Sequence, residues 1–118
     1  MYSEQELFDQ PLIDDDQWGR LKNELGFEML QEFTVEFFEE TEEIWFVSDF
    51  NPLAFEEKAF KSMAHRSAGA AGTIGLKRLR YAFLCMEHNP LGEQTFEFLN
   101  AMKTVFADTK AWVGSQSQ

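Results

Sequence analysis

Apolar residues recur along this chain at intervals of three and four, the period of an α-helix. No alternating run is long enough to build a sheet. Trp18, Leu21 and Leu25 share one face of a short first helix. Asp14, Asp15 and Asp16 precede it and suit a helix N-terminus by capping and by the helix dipole. Gly26 breaks or bends that helix, and Leu30, Phe33, Phe37 and Ile44 then carry a helical period to about Val47, with glutamates outside. Asp49, Asn51 and Pro52 punctuate the chain. Pro52 fits the first turn of the next helix, which runs through His65 to about Gly72. Gly72-Thr73-Ile74-Gly75 predicts a turn or a weak helical link, after which Leu76, Leu79, Phe83 and Met86 form a further stripe. His88-Asn89-Pro90-Leu91-Gly92 is a break. The last helix carries Phe96, Leu99, Phe106 and Val113 on one side, with Phe98, Met102, Val105 and Trp112 beside them, and residues 114–118 are expected to fray. Short connections between long amphipathic helices predict an all-α, up-down antiparallel four-helix bundle with a short additional N-terminal helix. Neither an internal repeat nor a domain boundary is visible. One domain over residues 1–118 is expected, its core at about 14–113 and its termini frayed.

Composition narrows the class. The chain has 118 residues, of which 44% are hydrophobic and 13 are Phe, enough for one core. A single cysteine, Cys85, allows no intrachain disulfide and no multi-cysteine metal site. The polar, acidic start is unlike a signal peptide, and no apolar run approaches a membrane span, so a cytoplasmic protein is expected. The net charge of -11 argues against nucleic acid, which needs a basic face to displace counterions.

Charge is unevenly spread. From Glu28 to Glu43 there are seven glutamates and no Lys or Arg, whereas from Lys58 to Met86 there is no Asp or Glu and six of the ten basic residues occur. The basic window holds a histidine, His65, in the small-residue run Ala64-His65-Arg66-Ser67-Ala68-Gly69-Ala70-Ala71-Gly72. Helical phase sets Lys58, Lys61, Ala68, Gly69 and Gly72 near His65, and Phe60, Met63, Ala64, Ser67, Ala70, Ala71 and Ile74 on the opposite, core-like face. His65 is therefore expected to point outward from a surface that a second protein can approach. A neutral imidazole is a nucleophile that can take a phosphoryl group on a ring nitrogen and release it, and the basic surroundings suit a negative group or an acidic partner pocket. An ordinary surface histidine on a solvated basic helix is the plain alternative. The chain has neither a Gly-rich nucleotide loop nor a kinase motif set, so it is not expected to be an autonomous enzyme. His88 is expected in a solvated loop and Cys85 in the core. Trp18, Trp45 and Trp112 are expected to pack, and the glutamate-rich face to be solvated.

The run from Ala64-His65 through Gly69-Ala70-Ala71 to Gly75-Leu76 resembles the signature of histidine-containing phosphotransfer (HPt) domains. Gly26-Phe27-Glu28-Met29-Leu30, with Phe33, Phe37, Glu40 and Thr41, is similar to that family's preceding helix, and Leu79, Cys85 and Glu87 fit its following one. The resemblance implies a four-helix bundle with the histidine exposed halfway along one helix. It implies a phosphorelay intermediate that accepts a phosphoryl group on Nε2 of His65 from a receiver aspartate and passes it to another receiver domain. The implied partners are the receiver domain of a response regulator and a hybrid or sensor histidine kinase. The receiver supplies the divalent metal, and this chain needs no cofactor. Ala68, Gly69 and Gly72 would form the docking surface. The chain departs from the family in having Ala68 where most members carry a lysine, and Ser67 where a hydrophobic residue is usual. Lys61 and Arg66 are the candidate substitutes for the missing cation. The alternative is a degenerate HPt-like module that docks on a receiver or kinase without transferring phosphate.

Overall fold

The computed structural model describes residues 2–117. The described residues form the helices α1 (Glu4–Asp9), α2 (Asp15–Leu25), α3 (Phe27–Trp45), α4 (Glu57–Ile74), α5 (Lys77–His88) and α6 (Gln94–Gly114), with a 3-10 turn at Pro52–Ala54. They contain no strand, and they pack as a compact all-helical bundle of 42 × 27 × 21 Å. No helix among them is long and apolar enough to cross a membrane.

Local chemistry sets most boundaries. The Asp14 carboxylate accepts the N–H of Gln17 at 3.1 Å and caps α2, as the acidic run predicts. Gly26 separates α2 from α3 at a φ of +85°. α4 runs on through Gly72 to Ile74 and stops at Gly75, whose φ of +88° is the left-handed conformation that closes a helix. The N–H groups of Gly75 and Leu76 return to the carbonyls of Gly72 and Ala71. Gly75 O in turn accepts the Asp14 N–H at 2.8 Å, which moors the start of α2 on the α4–α5 turn. Pro52 opens the 3-10 turn rather than α4, which begins five residues later in the chain, at Glu57.

Two features correct the sequence expectation. On α3 the buried residues are Leu30, Thr34, Phe37, Phe38, Thr41 and Trp45, whereas Phe33 and Ile44 are 48% and 42% exposed. Thr34 and Thr41 are able to enter the core because their hydroxyls donate to the carbonyls of Leu30 and Phe37, one turn earlier, at 2.7 and 2.8 Å. Only their methyl groups then need packing. Thr95 likewise takes the inward position beside the exposed Phe96. The core also extends further toward the start of the chain than expected. Leu7 and Ile13 are buried in the core, and at the other end Lys22 Nζ donates to Ser117 O at 3.2 Å. Met1 and Gln118, in the segments expected to fray, lie outside the described residues.

Helices α4 and α5 form the frame of the candidate site. His65 lies beside Glu87, and Gly72 lies under the side chain of Arg80. Seven steps forward on α4 match seven steps back on α5, so the two run in opposite directions around the Gly75–Leu76 turn. Trp45, fully buried, brings α3 to the same place. Its ring lies 5.6 Å from that of Phe60 on α4 and 5.3 Å from that of Phe83 on α5.

Gly75→Ala is expected to destabilise the fold by about 2 kcal/mol, since an L side chain in the left-handed region is strained. Its Cβ would in addition stand 3.2 Å from Gln17 Cγ. Urea unfolding measures the loss. A second expectation concerns alkaline pH. Burial pushes the Cys85 thiol up from 9.0 to about 12, with Glu4 and Glu6 adding to the effect. Burial, then the hydrogen bond donated to Glu6, pushes the Tyr81 phenol up from 10.0 to about 12. The unfolded chain loses these protons first. Their contribution to stability is thus complete below pH 9 and is lost as pH rises through about 12. Unfolding midpoints should fall across that window, and less steeply in Cys85→Ala.

Candidate functional site

His65 stands in the middle of α4 with its side chain 73% exposed. The helix is rotated so that Phe60, Ala64, Ala68 and Ala71 face the core. On the neighbouring helix, Glu87 directs Oε2 to His65 Nδ1 at 2.8 Å, and the Glu87 side chain is only 17% exposed. An ionised carboxylate can only accept, so Nδ1 carries the proton and donates. In the neutral ring the lone pair then lies on Nε2, at the far edge of an exposed imidazole. A nucleophilic nitrogen faces outward and a carboxylate stands behind it. No spacing pattern marks this pair, because its members are 22 residues apart. What signal there was lay in the acid-free window from Lys58 to Met86, which ends immediately before Glu87.

The cations take other positions. Lys58, Lys61, Ser62 and Arg66 line a shallow groove with His65 and Glu87. Lys61 shares the face of His65, as expected, but its ammonium pairs with Glu57 at 3.7 Å, one turn toward the helix start. Glu57 also accepts the Leu91 N–H at 2.8 Å. That bond first, and Lys61 second, hold its carboxyl below the usual carboxylate value. Arg66 is exposed at the α3–α4 edge, where it also lines a groove with Glu40, Ile44 and Met63.

The small-residue run divides in three. Ala68, expected on the docking surface, is 3% exposed and belongs to the core. At 100° per residue it falls about 60° from His65 on the core side, whereas Gly69 falls about 40° away on the other side. Gly69 is open, with no atom within 4 Å of where a Cβ would stand. Gly72 is half-buried because the Arg80 side chain crosses it, with Arg80 Cδ 2.9 Å from that Cβ position. Gly72 is thus covered by the protein's own cation rather than left bare. Ala70, assigned by phase to the core side, is exposed at the α3–α4 edge, and Met63 there is only half-buried. Ser67, also half-buried, accepts the indole N–H of Trp45 at 3.1 Å.

Among the remaining candidates, Cys85 is fully buried and Trp18 packs edge-on against Trp112 at 5.1 Å, both as expected. His88 is not a free loop residue. It ends α5, with its ring stacked on Tyr2 at 4.8 Å and Nε2 3.6 Å from Glu87 Oε1. Among the described residues, no group of three or more His, Cys, Asp or Glu side chains is arranged to hold a metal ion. No protein-family model, curated protein or solved structure matches the chain.

The glycines of the site should separate by substitution. Gly69→Ala is expected to stabilise the protein by about 0.5–1 kcal/mol, the usual gain at an open helix-interior glycine. Gly72→Ala should gain less, because its methyl group must displace Arg80. Thermal unfolding of the two variants makes the comparison.

Proposed function

We propose that this chain is a phosphoryl carrier of the histidine-containing phosphotransfer type, with His65 as the acceptor. The observation that carries the proposal is the exposed imidazole whose Nδ1 is held by Glu87 at 2.8 Å, leaving Nε2 as the outward nucleophile. The order of neighbours supports an up-down four-helix arrangement of α3 to α6. Phe37, Glu40, Thr41 and Ile44 of α3 share a groove with Met63, Arg66, Ser67 and Ala70 of α4, and Trp45 at the end of α3 meets Phe60 near the start of α4. Phe46, just past the end of α3, meets Phe106, and Glu42 within α3 meets Lys110, so later residues of α6 match earlier ones of this stretch. Ser67, which replaces the family's usual hydrophobic residue, is accounted for by the Trp45 hydrogen bond.

In this reading a receiver domain brings an aspartyl phosphate and its divalent metal to His65. The Nε2 lone pair attacks phosphorus, the bond from phosphorus to the aspartate oxygen breaks, and the carboxylate leaves with the bonding pair. The ring gains positive charge, which Glu87 stabilises through the Nδ1 proton. The reverse step delivers the group to a second receiver. Positioning and charge neutralisation dominate such transfers, and the chain needs no cofactor of its own. This role fits a cytoplasmic protein served by a hybrid or sensor histidine kinase. Gly69 lets the receiver backbone approach, and the flanking Lys58 and Arg66 supply a basic rim.

A second reading, an HPt-like module that docks without transferring phosphate, draws on the cations. Ala68 is in the core and the Lys61 ammonium is engaged with Glu57, so neither brings positive charge to the imidazole.

Incubation with a phosphorylated receiver separates the two. Acid-labile phosphate should appear on the parent chain and be absent from His65→Gln, which should fold normally because the side chain is exposed. Docking without labelling selects the second reading. Gly69→Phe should weaken receiver binding strongly, while His65→Gln weakens it much less. Added salt should slow association, since charges are screened over about 10 Å at ordinary ionic strength.

A further inference from the structure

The Glu87 carboxylate has two oxygens in different circumstances. Oε2 receives His65 Nδ1 at 2.8 Å. Oε1 is buried and has no hydrogen-bond partner. A buried carboxylate oxygen without a donor is costly, and a carboxylate held at one oxygen is free to turn about its Cγ–Cδ bond. The N–H-bearing ring that the structure brings toward Oε1 is that of His88, whose Nε2 stands 3.6 Å away. That distance is longer than a hydrogen bond. Closing it takes a movement of about half an ångström, which would satisfy the orphan oxygen.

The His88 ring is itself held in place. Tyr2 stacks on it with the planes 13° apart and the centroids at 4.8 Å. The Tyr2 carbonyl accepts the Asn89 side-chain N–H at 3.1 Å, and the Tyr2 ring also leans on Tyr81 at 5.1 Å. Tyr81 O–H donates to Glu6 at 2.7 Å, so α1 is tied to the same face of α5. The N-terminal segment thus lies across α5 with its aromatic end against His88. Tyr2, His88, Glu87 and His65 form one continuous line from the chain start to the exposed imidazole.

We infer that His88 is a positioning residue for His65: braced by Tyr2, it donates Nε2–H to Glu87 Oε1 and so keeps Oε2 on His65 Nδ1. Its consequence for reactivity rests on the phosphoryl-carrier proposal, while its structural content does not. With both carboxylate oxygens engaged, His65 is held as the Nδ1–H tautomer with a bare Nε2. Without His88 the carboxylate turns, and the His65 ring is released to the mixed tautomers of a free imidazole.

Nitrogen-15 NMR of the unphosphorylated 118-residue chain, at a pH where both imidazoles are neutral, reads this directly. The parent should give widely separated Nδ1 and Nε2 shifts for His65. His88→Phe, which keeps a ring for Tyr2 to stack on but has no N–H, should bring the two shifts toward each other. His88→Gln, which restores an N–H donor, should recover part of the separation. Tyr2→Ala, which leaves His88 in place and guards against a folding defect in the first variant, should give an intermediate result. Unchanged His65 shifts in folded His88→Phe would overturn the inference.

Phosphoramidate supplies the reactivity arm without a partner protein. His65 Nε2 attacks its phosphorus, the P–N bond breaks, and ammonia leaves with the bonding pair. His88→Phe should slow this labelling about tenfold, the low end for losing a supporting partner one step removed. An unchanged rate beside altered shifts would overturn the reactivity claim and leave the bridge standing. Parent protein that takes no label while its shifts respond to His88→Phe would overturn the phosphoryl-carrier proposal instead.

Discussion

The rotation of α4 about its own axis decides what His65 can do, and Trp45 fixes that rotation. Its indole is sealed between Phe60 of α4 and Phe83 of α5, with Phe50 closing a further side. Aromatic contacts of this kind are strong but tolerate some sliding. The hydrogen bond from the indole N–H to Ser67 removes that freedom, because a buried Trp donor must find its acceptor. Ser67 is two residues beyond His65, so once it is turned toward Trp45 the imidazole is turned away from α3. The alanines on the remaining face, Ala64, Ala68 and Ala71, then bring α4 close to its neighbours.

That close approach has a consequence on the other side of the helix. Because α4 and α5 are joined by only a glycine and a leucine, their register is tight, and a side chain on one meets a definite partner on the other. Glu87 falls opposite His65, and Arg80 falls opposite Gly72. One pairing sets an anionic acceptor behind the imidazole. The other uses the missing Cβ of Gly72 to let a cationic side chain cross the helix. Gly69, between them, is left open. The small residues of this run therefore serve three separate purposes: core packing, passage for Arg80, and access to the surface.

The N-terminal segment adds a layer that a plain bundle does not need. Leu7 is fully buried, Tyr2 covers His88, and Cys85 Sγ is 3.8 Å from Ser3 O. These contacts run along α5 on the side from which Glu87 is supported. The site thus depends on one end of the chain as well as on the two helices that contain it.

Periodicity determined that the protein is helical, and local caps and breakers set several helix ends, because Asp14 and Gly26 act on their own neighbours; α4, by contrast, starts five residues after Pro52 and runs past Gly72 to Gly75. Periodicity also marked His65 as outward-facing, since the apolar positions of α4 leave little choice of buried face. It misjudged α3, where Thr34 and Thr41 read as polar yet lie in the core with their hydroxyls satisfied internally, and where Phe33 and Ile44 read as core yet lie outside. Ala68 was misplaced for a related reason. A position about 60° from an exposed residue lies near the boundary between faces, and only the packing of the neighbouring helices decides its side. No spacing pattern paired His65 with its neighbours, and the acid-free window only hinted at Glu87. Glu87, His88 and Tyr2 come from distant parts of the chain, and what brings them together is the register of the α4–α5 hairpin and the fold-back of the N-terminal segment, both of which are products of tertiary packing.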